Sequence, residues 1–185
     1  LRNRVAIRTA RSLDALGATG VVLDLDGVPG ERGADLVALA QTLARLIGPG
    51  RSLVVAVPPA TDADPGPQAG YDLRALSRSA LVLVETAPAD TTRGPVVQAP
   101  LERWREVVRR SAHEAPARRL LFALPTAGIA WEAGGVRAAS QAELYPRLTE
   151  AHQQLPDGAA RGTASDGWAT ETDRSIELKL RVVHD

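Results

Sequence analysis

The stretch Gly20-Val21-Val22-Leu23-Asp24-Leu25-Asp26-Gly27-Val28 indicates the class of fold. Apolar residues run into a pair of aspartates, and a glycine follows them. A short apolar run that ends in turn residues is typical of a strand buried on both faces, as in a parallel sheet. We therefore predict a strand over residues 20–26 that carries acidic side chains at its carboxyl end.

The segments around this stretch alternate between helical and extended patterns. Val5, Leu13 and Leu16 mark one side of a first helix, which Gly17 ends. Apolar spacing predicts helices over 4–17, 33–47, 71–79 and 101–114, and strands over 53–57, 81–84 and 120–124. This alternation predicts an α/β fold with a parallel sheet, in which sites collect at the carboxyl edge of the strands.

The last part of the sequence is less regular. Ser140 and Glu143 have the spacing of a capping box and predict a helix over 140–154. One or two strands are predicted within 163–172. A final helix is predicted over 173–183, with Asp173 as its cap.

The composition excludes several kinds of function. Lys+Arg and Asp+Glu number 22 each, so neither nucleic acid nor an anionic membrane is expected as a partner. No stretch approaches the roughly 20 apolar residues of a membrane-spanning helix. Cysteine is absent, and the spacing of His113, His152 and His184 supports no metal site. We expect a single domain over residues 1–185 with no metal and no cofactor.

The two aspartates are the first candidates for chemistry. Alternation along a strand places Asp24 and Asp26 on the same face, about 6–7 Å apart. Two carboxylates at such a distance are suited to divide the roles of acid and base. The structural alternative is that one aspartate caps the following segment and the other pairs with an arginine.

The motif Asp24-Leu25-Asp26-Gly27 also resembles the opening motif of the haloacid dehalogenase phosphatases. That resemblance implies Asp24 as the nucleophile, Asp26 as the general acid and base, and help from Mg²⁺. The family also has a downstream lysine followed by an acidic pair. The only lysine here is Lys179, and the nearby acids Asp166 and Asp173 precede it, which is the wrong order.

A second resemblance extends over about residues 18–180. In order and spacing, six segments are similar to strands four to seven and the adjoining helices of the family 18 glycoside hydrolases, the chitinase and spore-cortex hydrolase group. The matching segments are 20–39, 53–58, 71–84, 94–104, 121–131 and 168–179. The resemblance implies a partial or incomplete (β/α)8 barrel, because strands one to three and eight have no counterpart. Three explanations stay open: a longer protein, a partner chain that completes the barrel, or a reduced open sheet.

The resemblance also implies roles for individual residues. Enzymes of that family use the N-acetyl oxygen of the sugar as nucleophile, a Glu as acid and an Asp two residues earlier to orient the acetamide. Asp24 matches the orienting Asp and Asp26 stands at the place of the Glu, while Val22 replaces an earlier Asp. The family's Met-Tyr-Asp corresponds to Glu85-Thr86-Ala87, so its tyrosine is lost.

Two further residues are candidates for substrate contact. Trp131 matches a tryptophan that forms the floor of a sugar subsite, or it closes the barrel mouth as a core residue. Glu85 could supply a new carboxylate at the site, or pair with an arginine.

The altered motif favours a catalytically impaired domain. Such a domain would bind a polysaccharide that contains N-acetylglucosamine, such as chitin or peptidoglycan, or serve as a scaffold, and would act outside the cell or in its envelope. The alternatives are an active retaining glycosidase with Asp26 as acid, the phosphatase, and a purely structural assembly protein.

Overall fold

The structure is a computed structural model. It describes residues 2–85, 100–126, 128–132, 135–144, 146–147, 152–154, 159–162, 168–170 and 172–184. The chain forms two compact units. The first comprises residues 1–85 and 109–123, and the second comprises residues 86–108 and 124–185. No helix within the described ranges is long and apolar enough to cross a membrane.

The first unit is built on β/α alternation. Its helices are α1 (Arg2–Leu16), α2 (Gly33–Ile47) and α3 (Leu73–Leu76), and its strands are β1 (Gly20–Leu23), β2 (Ser52–Val57), β3 (Leu81–Val84) and β4 (Leu120–Phe122). The helix α4 (Leu101–Glu114) spans the boundary of the two ranges. The four strands pair in the order β1-β2-β3-β4, and every pair is parallel. The predicted α/β fold with a parallel sheet is therefore confirmed.

Several predicted boundaries need correction. The strand predicted over 20–26 ends at Leu23, so both aspartates follow the strand instead of belonging to it. The helix predicted over 71–79 has only the four residues of α3, with the Asp72 side chain accepting a hydrogen bond from the Ala75 N–H at 2.8 Å. In α1, Ala6 and Leu13 are buried, whereas Val5 and Leu16 are exposed. The apolar residues of α1 therefore do not all lie on its buried side.

The two faces of the parallel sheet differ in burial. One face is buried on the two central strands, where α2 packs against β2 and α3 packs against β3. Its side chains are Leu53, Val55, Val57, Val82 and Val84. On the opposite face Val22, Val54 and Leu81 are aligned across three strands, and Val22 is 56% exposed. We call this opposite face the open face; in a closed barrel the face without helices lines the interior.

The second unit contains a sheet that the sequence analysis did not predict. Five antiparallel strands pair in the order β6-β5-β9-β8-β7. They are β5 (Gly128–Glu132), β6 (Gly135–Ala139), β7 (His152–Gln154), β8 (Ala160–Gly162) and β9 (Trp168–Thr170). Two helices accompany them, α5 (Gln141–Leu144) and α6 (Asp173–His184). Ala130, Ala139 and Leu144 form a small buried cluster.

The helix predicted over 140–154 is wrong beyond its first turn. Ser140 does cap α5, since its Oγ accepts a hydrogen bond from the Glu143 N–H at 3.2 Å. The Glu143 side chain does not complete a capping box but binds Arg137. α5 ends at Leu144, and residues 152–154 pair with β8. Antiparallel pairing with β8, the next strand along the chain, has overridden the local helical pattern.

The cap of the last helix also differs from the prediction. The Thr172 Oγ1 accepts a hydrogen bond from the Ser175 N–H at 3.3 Å, and the Thr172 N–H donates to Ser175 Oγ at 2.8 Å. This reciprocal pair has the geometry of a capping box. The cap is therefore Thr172, one residue before the predicted Asp173. Within the predicted range 163–172, β9 is one strand, and residues 163–167 lie outside the described residues.

Candidate functional site

The aspartates lie at the carboxyl edge of the parallel sheet. Asp24 is the first residue after β1, and Asp26 lies two residues further in a turn with Gly27. Gly27 has φ +63°, in the left-handed region that glycine adopts at little cost. Both aspartates are exposed, and within the described parts of the chain neither side chain makes a hydrogen bond or an ion pair. The alternative of a cap and an arginine partner is therefore not observed there.

Glu85 brings a third carboxylate to the same edge. It directly follows β3, and its N–H donates to the Val57 carbonyl at 2.9 Å, which extends the strand pairing by one residue. Its pKa is raised, first by partial burial and then by the negative charges of Asp24 and Asp26. Asp24 and Asp26 therefore lie close enough to Glu85 for their charges to affect its pKa. No arginine pairs with Glu85 within the residues that the structure describes.

A cavity of about 620 Å³ opens beside the turn. Leu25, Asp26 and Val28 line it from the turn, and α1 and α2 contribute the opposite wall. On that wall Arg2 and Arg32 both pair with Asp35, at 3.5 and 2.9 Å. The cavity therefore presents the Asp26 carboxylate, the Asp35 carboxylate with its two paired guanidinium groups, and apolar surface.

A larger concavity of about 730 Å³ lies at the amino edge of the same sheet. It is lined by four arginines and by no carboxylate, and the arginines are Arg45, Arg51, Arg78 and Arg119. Ligands of parallel α/β folds bind at the carboxyl edge, and conserved features at the other end generally serve stability. We therefore place the candidate site at the three carboxylates, of which Asp26 also lines the smaller cavity.

Sequence reasoning missed Tyr71. This tyrosine is only 4% exposed, and its hydroxyl binds the main chain on both sides of the turn that carries Asp26. The only available signal was its place, at the end of a long Pro/Asp/Gly loop and next to the helix-capping Asp72. Nothing in that pattern connects it with a turn more than 40 residues earlier.

The remaining predicted residues belong to the second unit or lie outside the described residues. Trp131 is in β5, where its main chain pairs with Val136, and its side chain is not among those described. Thr86 and Ala87, at the position of the family's tyrosine and aspartate, also lie outside the described residues. Lys179 is fully buried in α6, and its carbonyl accepts a hydrogen bond from Trp104 Nε1 at 3.1 Å.

The described residues hold no group of three or more histidine or acidic side chains arranged to bind a metal ion. His113 lies in α4, His152 in β7 and His184 at the end of α6.

Comparison with solved structures yields close matches in fold. The spore cortex-lytic enzyme SleL of Bacillus megaterium superposes with a TM-score of 0.82 at 19% identity, over 99% of this chain and 47% of that one. A chitinase from Chromobacterium violaceum gives 0.81 at 20% identity, over 97% of this chain and 62% of that one. A class V chitinase from Pseudomonas fluorescens Pf-5 gives 0.79 at 19%, over 97% and 63%.

The chain has the fold of the chitinases and spore cortex-lytic enzymes. It spans about half to two thirds of the length of these proteins. No protein-family model matches it, and no curated protein matches it in sequence. The predicted resemblance to a family 18 barrel is thus confirmed at the level of the fold.

Proposed function

We propose that this chain is a glycoside hydrolase-like module that binds a polysaccharide containing N-acetylglucosamine, with impaired catalysis. The observation that carries the proposal is the position of Asp24, Asp26 and Glu85. They lie together at the carboxyl edge of a parallel sheet whose fold is shared with chitinases. Carboxylates at this edge can accept hydrogen bonds from sugar hydroxyl and amide groups.

The expectation of impaired catalysis rests on two substitutions in the motif. Val22 leaves an exposed apolar side chain where the resemblance implies an aspartate. Asp26 is one C–C bond shorter than the glutamate acid, roughly 1.5 Å. A misplacement of about 1 Å at a reacting group costs on the order of 10²-fold in rate. Binding through the remaining carboxylates does not need this accuracy.

A second candidate function is an active retaining glycosidase, in which Asp26 donates the proton and Asp24 orients the acetamide. One observation favours it: Glu85 lies beside the two aspartates with a raised pKa. A carboxyl group that holds its proton more tightly than usual is suited to proton donation. Glu85 could thus contact substrate as an additional acid. The phosphatase and the structural assembly role remain outcomes of the test below.

We also propose that further β/α units cover the open face, supplied by the same polypeptide or by a partner chain, and that residues 1–185 belong to a single glycoside hydrolase-like domain. Val22 and Leu121 are 56% and 41% exposed on this face. Large apolar side chains grouped on one sheet face favour contact with another layer. Trp131 would then form the floor of a sugar subsite. Because chitin and peptidoglycan lie outside the cell or in its envelope, we propose that the protein acts there.

The test measures binding and turnover in the same full-length protein. Chito-oligosaccharides and peptidoglycan fragments are titrated by calorimetry, and released sugars are quantified separately. The expected result is saturable binding that Asp26→Asn and Asp24→Asn weaken, with little or no hydrolysis. Glu31→Gln is the matched control, because Glu31 is an exposed carboxylate outside the site.

Each other result selects a different function. Hydrolysis that Asp26→Asn abolishes would establish the active glycosidase and overturn impaired catalysis. Mg²⁺-dependent release of phosphate from an ester substrate would overturn the glycoside hydrolase proposal. Neither binding nor turnover with any glycan would leave a structural role.

A further inference from the structure

Tyr71 is a buried side chain whose one polar atom is fully used. In the sequence, Tyr71 lies between a short 3-10 turn at Gly66–Gln68 and α3, and its side chain is 4% exposed. The hydroxyl donates a hydrogen bond to the Leu25 carbonyl and accepts one from the Val28 N–H at 3.2 Å. A buried hydroxyl needs such partners because an unpaired polar group is costly away from water.

These two hydrogen bonds bracket the turn that carries Asp26. Leu25 precedes Asp26 and Val28 follows Gly27, so a single side chain holds both ends of the turn. Asp24 is the residue immediately before it. We call residues 24–28 the acid turn. Its backbone cannot open, or rotate Asp26 away from the sheet edge, without breaking at least one bond to Tyr71.

Tyr71 is itself held by hydrogen bonds and by a close backbone contact next to it. Its N–H donates to the Gln68 carbonyl at 2.9 Å, and Gln68 Nε2 donates to the Pro58 carbonyl at 2.6 Å. Pro58 directly follows β2, so hydrogen bonds connect the end of a core strand to the acid turn. Gly70 adds a close backbone contact: a Cβ built on it would lie 2.1 Å from the Val28 carbonyl oxygen.

We propose that Tyr71 is a positioning residue that sets the location of the Asp24 and Asp26 carboxylates for sugar binding. This inference rests on the proposed function and deepens it. An aspartate has one methylene fewer than a glutamate, so the backbone of the turn determines where its carboxylate can reach. Tyr71 acts through that backbone and does not touch the sugar.

The variant Tyr71→Phe tests the proposal, because it keeps the ring and removes only the hydroxyl. Hydrogen exchange measured by NMR should show faster exchange of the Val28 amide, by roughly 5-fold or more, since its acceptor is gone. Chito-oligosaccharide affinity, or kcat if the protein hydrolyses sugars, should fall on the order of 10-fold or more, because the carboxylates lose their fixed position. In an active protein, KM should change less than kcat.

Ser77→Ala is the matched control. Ser77 is also buried, and its Oγ donates to the Arg74 carbonyl at 3.0 Å, away from the acid turn. It should leave both the Val28 amide and the sugar affinity unchanged, although it lowers stability in a similar way. A merely structural role of Tyr71 would make the two variants alike in sugar affinity.

If Tyr71→Phe does not fold, Gly27→Ala perturbs the same turn from within. No atom lies within 4 Å of a Cβ at Gly27, so the only effect there is the strain of a positive φ. Sugar affinity should again fall.

Two results would overturn the positioning role: unchanged exchange of the Val28 amide in Tyr71→Phe, or faster exchange with unchanged sugar affinity. A wild-type protein that neither binds nor cleaves sugar would overturn the proposed function. Exchange of the Val28 amide does not depend on sugar, so it would still show whether Tyr71 holds the turn, and the two failures can be told apart.

Discussion

Gly70 packs directly against the main chain of Val28: a Cβ on Gly70 would lie 2.1 Å from the Val28 carbonyl oxygen and 2.7 Å from its carbonyl carbon. Backbone atoms cannot move aside as a flexible side chain can. A second close approach lies behind it, because a Cβ on Gly33 would lie 3.1 Å from the Gly70 carbonyl oxygen. The loop after β2 therefore packs closely between the acid turn and the start of α2.

The first prediction concerns this contact. Gly70→Ala should destabilise the protein by about 1–3 kcal/mol, the usual range for overpacking a tight site. Urea unfolding measures the loss. Gly50→Ala is the control, because a Cβ at Gly50 meets no atom within 4 Å. Equal midpoints for the two variants would contradict the close packing of Gly70 on the acid turn.

The second prediction concerns pH. Because the pKa of Glu85 is raised above its ordinary value of 4.5, the folded state favours the protonated form. Its contribution to stability is present below the ordinary pKa and is lost as pH rises through the raised one. Glu85→Gln should therefore gain stability relative to wild type between about pH 4 and pH 7.

Urea midpoints of both proteins at several pH values check this prediction. Glu31→Gln serves as the exposed control. A difference between wild type and Glu85→Gln that is constant over the whole range would contradict a raised pKa of Glu85 in the folded protein.

The third prediction concerns the altered motif. Val22→Asp combined with Asp26→Glu restores the acidic residues that the family resemblance implies. We expect hydrolysis of chito-oligosaccharides to rise on the order of 10²-fold, because the acid regains its reach.

The control for this pair is Leu121→Asp. Leu121 is 41% exposed on the open face but lies in β4 instead of β1. It adds a carboxylate to the same face without restoring the motif. If the restored double variant hydrolyses no more sugar than this control, the substitutions at 22 and 26 are not the cause of impaired catalysis.

The fourth prediction concerns the last helix. Thr172→Ala removes the acceptor of the Ser175 N–H and should cost about 1 kcal/mol of unfolding free energy. Thr172→Ser keeps a hydroxyl and should cost clearly less. Thermal or urea unfolding, followed by the helical circular dichroism signal, measures the unfolding free energy of both variants. A cost that is the same for the two variants would argue against the hydroxyl as the cap.

The sequence by itself determined the parallel β/α half of the fold. The apolar runs at 20–23, 53–57 and 81–84 are strands, because a short continuous apolar run between turn residues favours a strand of a parallel sheet. Gly17 and Gly48 end α1 and α2 with positive φ, as local backbone preference dictates. The order of these segments also sufficed for the resemblance to the chitinase fold.

Tertiary structure decided what local patterns do not encode. Residues 152–154 form a strand because β8 pairs with them, whereas their own spacing favours a helix. Glu85 joins Asp24 and Asp26 because parallel strands end at one edge, and its pKa is raised there first by partial burial and then by the two aspartates. Tyr71 reaches the acid turn across more than 40 residues. Pairing, burial and charge act through space, so only the folded chain brings these groups together.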